Sequence, residues 1–224
     1  MNRLMIAMVT AAMAFSFVPA MAQPDLEPNS YAAMGCMKLR ECTDGVIRLR
    51  SVDQLIKQYG DSDFNQYKEE IQRMLESLET AGVQVFLADP DNFPRTHRGT
   101  YYTDTNMFFL NSGYVYNAEV FMKVFRHEGW HAAQDCMAGS IDNSMIAVIY
   151  NDELIPQPYK LDAQIRYGMM APKAIPWEQE AIWAGNVPNM TADALDSCST
   201  KTMWSDYTPT PMTAEWLTNN GYIQ

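Results

Sequence analysis

The feature that most constrains this chain is a helical pattern that begins at Asn117 and continues to about Cys136. Asn117 is a residue type that caps helix N-termini, and Ala118 and Glu119 suit the first turn. Apolar residues then recur at three- and four-residue spacing, which predicts a helix. They are Val120, Phe121, Val124, Phe125 and Ala132.

The middle of this predicted helix has the sequence His127-Glu128-Gly129-Trp130-His131, or H-E-x-x-H. Residues four apart lie one helical turn from each other, so both imidazoles can bind one metal ion. Glu128 then lies beside the metal, where a general base can take a proton from an activated water. Gly129 costs about 1 kcal/mol relative to Ala in a helix interior, which indicates either close approach of another segment or simple tolerance. The alternative is a chance helix with two surface histidines.

Two histidines do not complete a catalytic zinc site, which normally has three protein ligands and an open fourth position. In the metzincin pattern, a glycine and a third histidine follow the motif, but Gln134 and Met137 occupy those positions. This class is therefore excluded. The remaining histidine, His97, lies in a predicted loop before the motif.

A second segment, Glu180-Ala181-Ile182-Trp183-Ala184, resembles the helix that supplies a glutamate ligand in gluzincins, the thermolysin-like zinc peptidases. This resemblance implies that His127, His131 and Glu180 bind Zn²⁺ and that Glu128 is the catalytic base. It covers only the two motif helices and, loosely, the strands before them. Ala184 stands where thermolysin-like enzymes have an acidic residue, so the outer partner of the first histidine is unassigned.

Other residues remain candidates for the third ligand. Glu153 lies 22 residues after His131, Glu178 lies two positions before Glu180, and His97 or an aspartate is also possible. Glu180 is favoured because apolar Ala181, Ile182 and Trp183 indicate a packed helix, in which a carboxylate needs a partner. The alternative for Glu180 is a solvated helix charge.

The rest of the chain predicts an α+β fold. Residues Ser62 to Thr80 form an amphipathic helix that ends near Gly82, and Val83 to Ala88 form a strand. Gly99 to Tyr102 and Met107 to Leu110 form a hairpin or adjacent strands. The gluzincin resemblance implies a zincin-like fold, with a small mixed or antiparallel sheet on the active-site helix. It also implies an edge strand that binds substrate, for which Met107 to Leu110 is the candidate; a plain core strand is the alternative.

A helical, loop-rich C-terminal part is predicted to follow. Glu178 to Gly185 and Thr213 to Asn219 indicate helices, and Ile141 to Tyr150 suits a helix or a strand. Prolines divide the remaining chain into short pieces. A donor that stabilises the oxyanion is expected, with Tyr150, Tyr159, Tyr167 and His97 as candidates.

The N-terminus has the pattern of a cleaved secretory signal over residues 1–22. Arg3 precedes an apolar stretch from Leu4 to Val18, and cleavage after Ala22 leaves Gln23 first. The stretch is too short to span a bilayer comfortably. Residues 23–224 are expected to form a single domain, or two close lobes with a cleft near 127–180.

Charge and cysteine content fit an exported protein. Loss of Arg3 changes the net charge of −11 to −12, which disfavours binding to nucleic acid or an anionic membrane. The four cysteines, Cys36, Cys42, Cys136 and Cys198, predict two disulfides. Of three pairings, Cys36–Cys42 with Cys136–Cys198 is favoured, because the first pair closes a short loop.

The sequence therefore predicts a secreted or periplasmic zinc metallopeptidase. It would hydrolyse peptide bonds in a peptide or protein substrate with a zinc-activated water and Glu128 as general base. One alternative is an inactive zinc-binding or protein-binding module, although the intact Glu128 argues against it. Another is a zinc amidase that acts on cell-wall peptides.

Overall fold

The computed structural model of the chain describes residues 26–60 and 64–224. The predicted signal sequence and its cut after Ala22 lie outside the described residues, as does the predicted start of a helix at Ser62. Nine α-helices and four strands are present in the described part of the chain. The fold is α+β, as the sequence predicts.

The strands form one mixed sheet in the order β1-β2-β4-β3. They are β1 (Val46–Arg48), β2 (Gln84–Ala88), β3 (Gly99–Tyr102) and β4 (Met107–Asn111). The central pair β2 and β4 is parallel, whereas β1 with β2 and β3 with β4 are antiparallel. The predicted hairpin is confirmed, but β3 rather than β4 is the edge strand.

For Met107 to Leu110 the edge-strand prediction is wrong and the alternative of a core strand is confirmed, because β4 hydrogen-bonds to strands on both sides. Every residue of β4 is buried, whereas every residue of β3 is only half-buried. A run that is apolar on both faces is typical of an interior strand, and Met107 to Leu110 is such a run.

The long helix α4 (Ala118–Met137) begins and ends close to the predicted positions. The Asn117 side chain accepts a hydrogen bond from the Val120 amide at 2.9 Å and so caps the helix. Phe125 stacks against Phe108 of β4, with ring centroids 5.6 Å apart. This contact packs the helix on one face of the sheet.

Other helices enclose α4 and the sheet. Helix α3 (Lys68–Ala81) contacts α4, α7 (Met190–Ser199) and β2, and it ends at Gly82, whose left-handed φ of 97° favours glycine. Of the two explanations for Gly129, the structure supports close approach: a Cβ there would lie 3.0 Å from Met74 Cε and 3.1 Å from Thr191 Cγ2. The glycine in the motif therefore lets α3 and α7 pack tightly against α4.

The opposite face of the sheet is covered by a smaller apolar cluster. Its buried members are Met37 of α1 (Tyr31–Lys38), together with Ala88, Phe93, Met107 and Phe109. The short helix α2 (Val52–Tyr59) packs near α3.

The C-terminal part is helical, as predicted. It contains α5 (Gln157–Tyr167), α6 (Ile175–Asn186), α7, α8 (Met203–Asp206) and α9 (Ala214–Asn219), which Thr213 caps. The segment 141–150 forms neither of the predicted elements and has no regular helix or strand. None of the described helices has the length and apolarity needed to cross a membrane.

Both predicted disulfides are present, and their pairing is the favoured one. Cys36 bonds to Cys42, and Cys136 bonds to Cys198. The second disulfide joins the last turn of α4 to the last turn of α7, so it links the motif helix to the helix that follows α6.

Candidate metal centre

Helix α4 presents the two motif histidines on its partly open side. His127 and His131 lie one turn apart, with ring centroids 4.9 Å apart, and their side chains are 18% and 14% exposed. The helix geometry expected for H-E-x-x-H is therefore present. Imidazoles placed this way can share one ion and still leave access to solvent.

Helix α6 runs antiparallel to α4 and lies unusually close to it. Gln134, near the end of α4, contacts the carbonyl of Trp177 at the start of α6. Gly185, at the other end of α6, lies beside the preceding turns of α4, where an added Cβ would be 2.9 Å from the Lys123 carbonyl oxygen and 3.4 Å from His127 Cβ. Glycine is needed at this contact.

The third member of the group is Glu178 of α6. Its Oε2 lies 3.3 Å from His127 Nε2, and its Oε1 lies 3.8 Å from His131 Nε2. All three ligand atoms fall within 4.8 Å of one another. Among the residues 26–60 and 64–224, this is the one group of three or more His, Cys, Asp or Glu side chains with metal-site spacing.

Glu180, the favoured third ligand, is not part of this group. Its carboxylate is completely buried between α4 and the segment 141–150, where it accepts hydrogen bonds from Trp130, Gln134, Ile149 and Tyr150. The structure therefore places Glu178, and not Glu180, next to the two motif histidines. As expected for a carboxylate on a packed helix, Glu180 has partners, and they are these four hydrogen-bond donors.

The remaining candidates for the third ligand lie elsewhere. Glu153 is exposed, and it is not a member of the group. His97 stacks edge-on against Tyr31, with ring centroids 5.3 Å apart, and burial lowers the pKa of its imidazole.

The group could hold a metal ion, and its donor types are those used for zinc. Two imidazoles and one glutamate are an established donor set for catalytic zinc, and tetrahedral bonds of about 2.0–2.1 Å place ligand atoms roughly 3.3 Å apart. Glu178 Oε2 is buried, and no described residue gives it a hydrogen bond of normal geometry. A buried carboxylate oxygen without a donor, facing two imidazole nitrogens, is the arrangement that a cation would complete.

The charge on Glu178 is stabilised by its surroundings. Burial alone would raise its pKa, but the close imidazoles of His127 and His131 and the Tyr167 hydroxyl together outweigh burial and lower the pKa to about 2. Tyr167 is the one proposed oxyanion donor that contacts this group. Burial, together with the charge of Glu178 and their hydrogen bond, raises the pKa of Tyr167 above its usual range, so its hydroxyl remains protonated.

Glu128 lies between α4 and the edge strand β3. It is 9% exposed, and burial, with a further contribution from Glu178, raises its pKa to about 7 against the opposing effects of His131 and the Tyr101 amide. A carboxylate with a pKa near neutrality is suited to accept and then release a proton. The backbone at Gly99 packs directly against the Glu128 side chain, because an added Cβ at Gly99 would lie 2.8 Å from Glu128 Cγ.

Edge strand β3 is held against the motif helix. The Tyr101 hydroxyl donates to Asp135 Oδ2 at 2.7 Å, and the Tyr101 amide donates to Glu128. Burial raises the pKa of Asp135 to about 7. The outer edge of the sheet and the predicted base are therefore in direct contact.

No family model, no curated protein and no solved structure matches this chain.

Proposed function

We propose that this chain is an exported zinc metallopeptidase with a zincin-like fold. In this proposal His127, His131 and Glu178 bind Zn²⁺, and Glu128 is the general base. The observation that carries the proposal is that ligand atoms of His127, His131 and Glu178 lie within 4.8 Å of one another, with both histidines on the helix that also carries Glu128. The two disulfides and the N-terminal signal pattern are compatible with export.

A bound zinc ion would supply Lewis acidity, which polarises a carbonyl and lowers the pKa of a water molecule to about 7. Glu128 takes a proton from the attacking water and returns it to the leaving amine. In the metal-free chain, burial raises the pKa of Glu128 to about 7, which suits a carboxyl group that both accepts and releases a proton. Tyr167 keeps its proton and, through its hydrogen bond to Glu178, orients the third ligand.

Edge strand β3 is the proposed binding site for an extended peptide. Strand β3 pairs with β4 on one side only, so its other edge has no neighbouring strand among the described residues. The Tyr101 amide of this strand contacts Glu128. A peptide that adds to this edge by strand pairing would pass directly over the base. This proposal transfers the substrate-binding role from β4 to β3.

Zinc content tests the ligand set. Protein exported through its own signal should contain about one zinc ion per chain by elemental analysis, because three protein ligands define one site. His131→Ala and Glu178→Ala should lose it, whereas the matched variant Glu153→Ala should retain it. Full zinc in folded Glu178→Ala would refute the ligand assignment.

Peptide hydrolysis tests the reaction. Zinc-loaded wild type and Glu128→Gln should be incubated with a mixed peptide library and, in parallel, with cell-wall peptides, and the products identified by mass spectrometry. We expect cleavage of library peptides by the wild type alone. Cleavage of only the cell-wall peptides would indicate the amidase alternative, and no cleavage above Glu128→Gln in either set would indicate a binding module.

A further inference from the structure

A chain of hydrogen bonds leads from His131 into the protein interior. His131 Nδ1 lies 2.8 Å from Gln134 Oε1, and Gln134 Nε2 lies 2.7 Å from Glu180 Oε2. The same Gln134 nitrogen donates to the Trp177 carbonyl at 3.1 Å. Gln134 and Glu180 are both completely buried. The imidazole nitrogen that faces away from the candidate metal centre is therefore connected to a fixed polar network.

The direction of each hydrogen bond follows from which groups can donate. The Trp177 carbonyl and an ionised Glu180 carboxylate only accept, so the amide NH₂ of Gln134 must face them. The Gln134 oxygen must then face His131, where it accepts. His131 Nδ1 therefore carries the hydrogen, and the lone pair of the neutral ring lies on Nε2.

Glu180 is held as an acceptor by three further donors. The Ile149 amide lies 2.9 Å from Oε1, the Tyr150 amide lies 2.5 Å from the same oxygen, and the Trp130 indole nitrogen lies 3.2 Å from Oε2. Each of these groups only donates. Because a buried carboxylate with four donors is well satisfied, Glu180 fixes the orientation of the Gln134 amide.

The Nε2 atom that this network leaves unprotonated is the one that faces Glu178, at 3.8 Å. A metal-binding histidine needs a free lone pair on the nitrogen that faces the ion, and its other nitrogen usually donates to an outer partner. The network satisfies this requirement before any ion binds.

We propose that Glu180 and Gln134 are positioning residues that hold His131 in its Nδ1–H tautomer, with Nε2 directed to the metal. The use of this tautomer rests on the proposed zinc site. The tautomer itself is a property of the metal-free chain, so it can be measured without zinc and without activity.

The first test is nitrogen-15 NMR of the metal-free protein in alkaline buffer, where imidazoles are neutral. The chain has only three histidines, so single substitutions of His97 and His127 assign the His131 signals. We expect His131 as the Nδ1–H tautomer in the wild type. The Nε2–H tautomer in the wild type would overturn the proposal.

Two variants test the source of the effect. Glu180→Gln removes one of the two obligate acceptors that hold the Gln134 NH₂ and so weakens its orientation, and Gln134→Met removes both the acceptor and the donor at similar size. In either variant we expect the Nε2–H tautomer to become populated and zinc affinity to fall by about 10- to 100-fold, the usual effect of losing an outer hydrogen-bond partner. Glu153→Gln, an exposed substitution of the same kind, should change neither.

The outcomes separate this inference from the proposed function. An unchanged tautomer in folded Gln134→Met would overturn the positioning role, even if Glu180→Gln fails to fold. If the tautomers behave as expected and the wild type binds no zinc, the zinc site is refuted while the positioning of His131 stands.

Discussion

Two glutamates on helix α6 have opposite environments although only one residue separates them. Glu178 faces the side of α4 that carries His127 and His131, and its Oε2 lacks a hydrogen-bond donor among the described residues. Glu180 faces the buried segment near Ile149 and Tyr150, and its two oxygens accept from four donors. Both contact the same helix, and both are substantially buried.

The difference separates the proposed metal ligand, Glu178, from a structural carboxylate, Glu180. Burial alone does not do so, because the more deeply buried Glu180 is the one whose oxygens are satisfied. A metal ligand needs an oxygen that the protein leaves without a donor and directs at other ligands. By this criterion the region around Glu178 is prepared for a cation, and the region around Glu180 is complete without one.

The largest expected effect comes from Glu178→Gln. It keeps the side-chain volume but removes the negative charge between the two histidines, so zinc affinity should fall by more than the roughly 10- to 100-fold typical of an outer partner. Isothermal titration of zinc into metal-free protein measures this change. If Glu180→Gln weakened binding more than Glu178→Gln, the contrast between the two glutamates would be reversed.

Glu180→Ala should act on stability. It leaves the Trp130, Ile149 and Tyr150 donors without an acceptor, whereas Gln134 keeps the Trp177 carbonyl. Each unsatisfied group costs about 1–3 kcal/mol, so the free energy of unfolding should fall by at least about 3 kcal/mol. Urea unfolding of the metal-free protein measures it. Glu178→Ala, the matched control, should cost clearly less. Equal losses would mean that Glu178 is also a structural residue.

Gly99→Ala tests whether the region around Glu178 and the histidines depends on exact packing, as the buried region around Glu180 does. The added Cβ would lie 2.8 Å from Glu128 Cγ and 3.0 Å from Val124 Cγ1, so the base must move. A displacement of about 1 Å can cost on the order of 100-fold in rate, and we expect that loss in kcat with zinc content unchanged. Gly35→Ala is the control, because nothing lies within 4 Å of an added Cβ there. An unchanged kcat in Gly99→Ala would argue against Glu128 as base.

The smallest expected effect is a change in how stability depends on pH. The pKa of Glu178 is lowered to about 2 in the folded chain, so its stabilising contribution is present above the unfolded value of about 4.5 and is lost as pH falls towards 2. The pKa of Glu180 is raised, chiefly by burial, so its contribution is largest at low pH and declines as pH rises above about 4.5.

Unfolding of metal-free wild type, Glu178→Gln and Glu180→Gln across pH therefore separates the two residues. Relative to wild type, the deficit of Glu178→Gln should grow from pH 2 to about 4.5, and the deficit of Glu180→Gln should shrink above that pH. Each slope is at most about 1.4 kcal/mol per pH unit for one proton. Slopes of the same sign would contradict the contrast.

The sequence predicted the local structure of α4 well because its signals are local. A capping Asn117, regular apolar spacing and a motif that requires a helix all lie within about 20 residues. Local signals did not predict three other features. These concern the β3–β4 hairpin and the helices at Gln157–Tyr167 and Met190–Ser199. The hairpin was predicted, but which strand is the edge depends on the distant β2, and neither helix was predicted in a region divided by prolines.

The choice between Glu178 and Glu180 depends on how α6 is rotated about its axis, which a single segment does not encode. That rotation is fixed by Gly185 against His127 and by the Ile149 and Tyr150 amides around Glu180. One local signal was present. Gly185 lies seven residues after Glu178 and therefore on the same helix face, so the small residue that permits close approach to α4 marks the face that carries the ligand.

The disulfide between Cys136 and Cys198 has a consequence for the survival of the protein after cleavage. It closes a covalent ring across 62 positions of sequence separation, and that ring contains α5, α6 and most of α7. One cut in the backbone anywhere inside the ring leaves the two fragments joined by the disulfide. If the cut lies before α6, His131 is on one fragment and Glu178 is on the other. A nick by a protease in this region therefore does not release either half of the candidate metal centre.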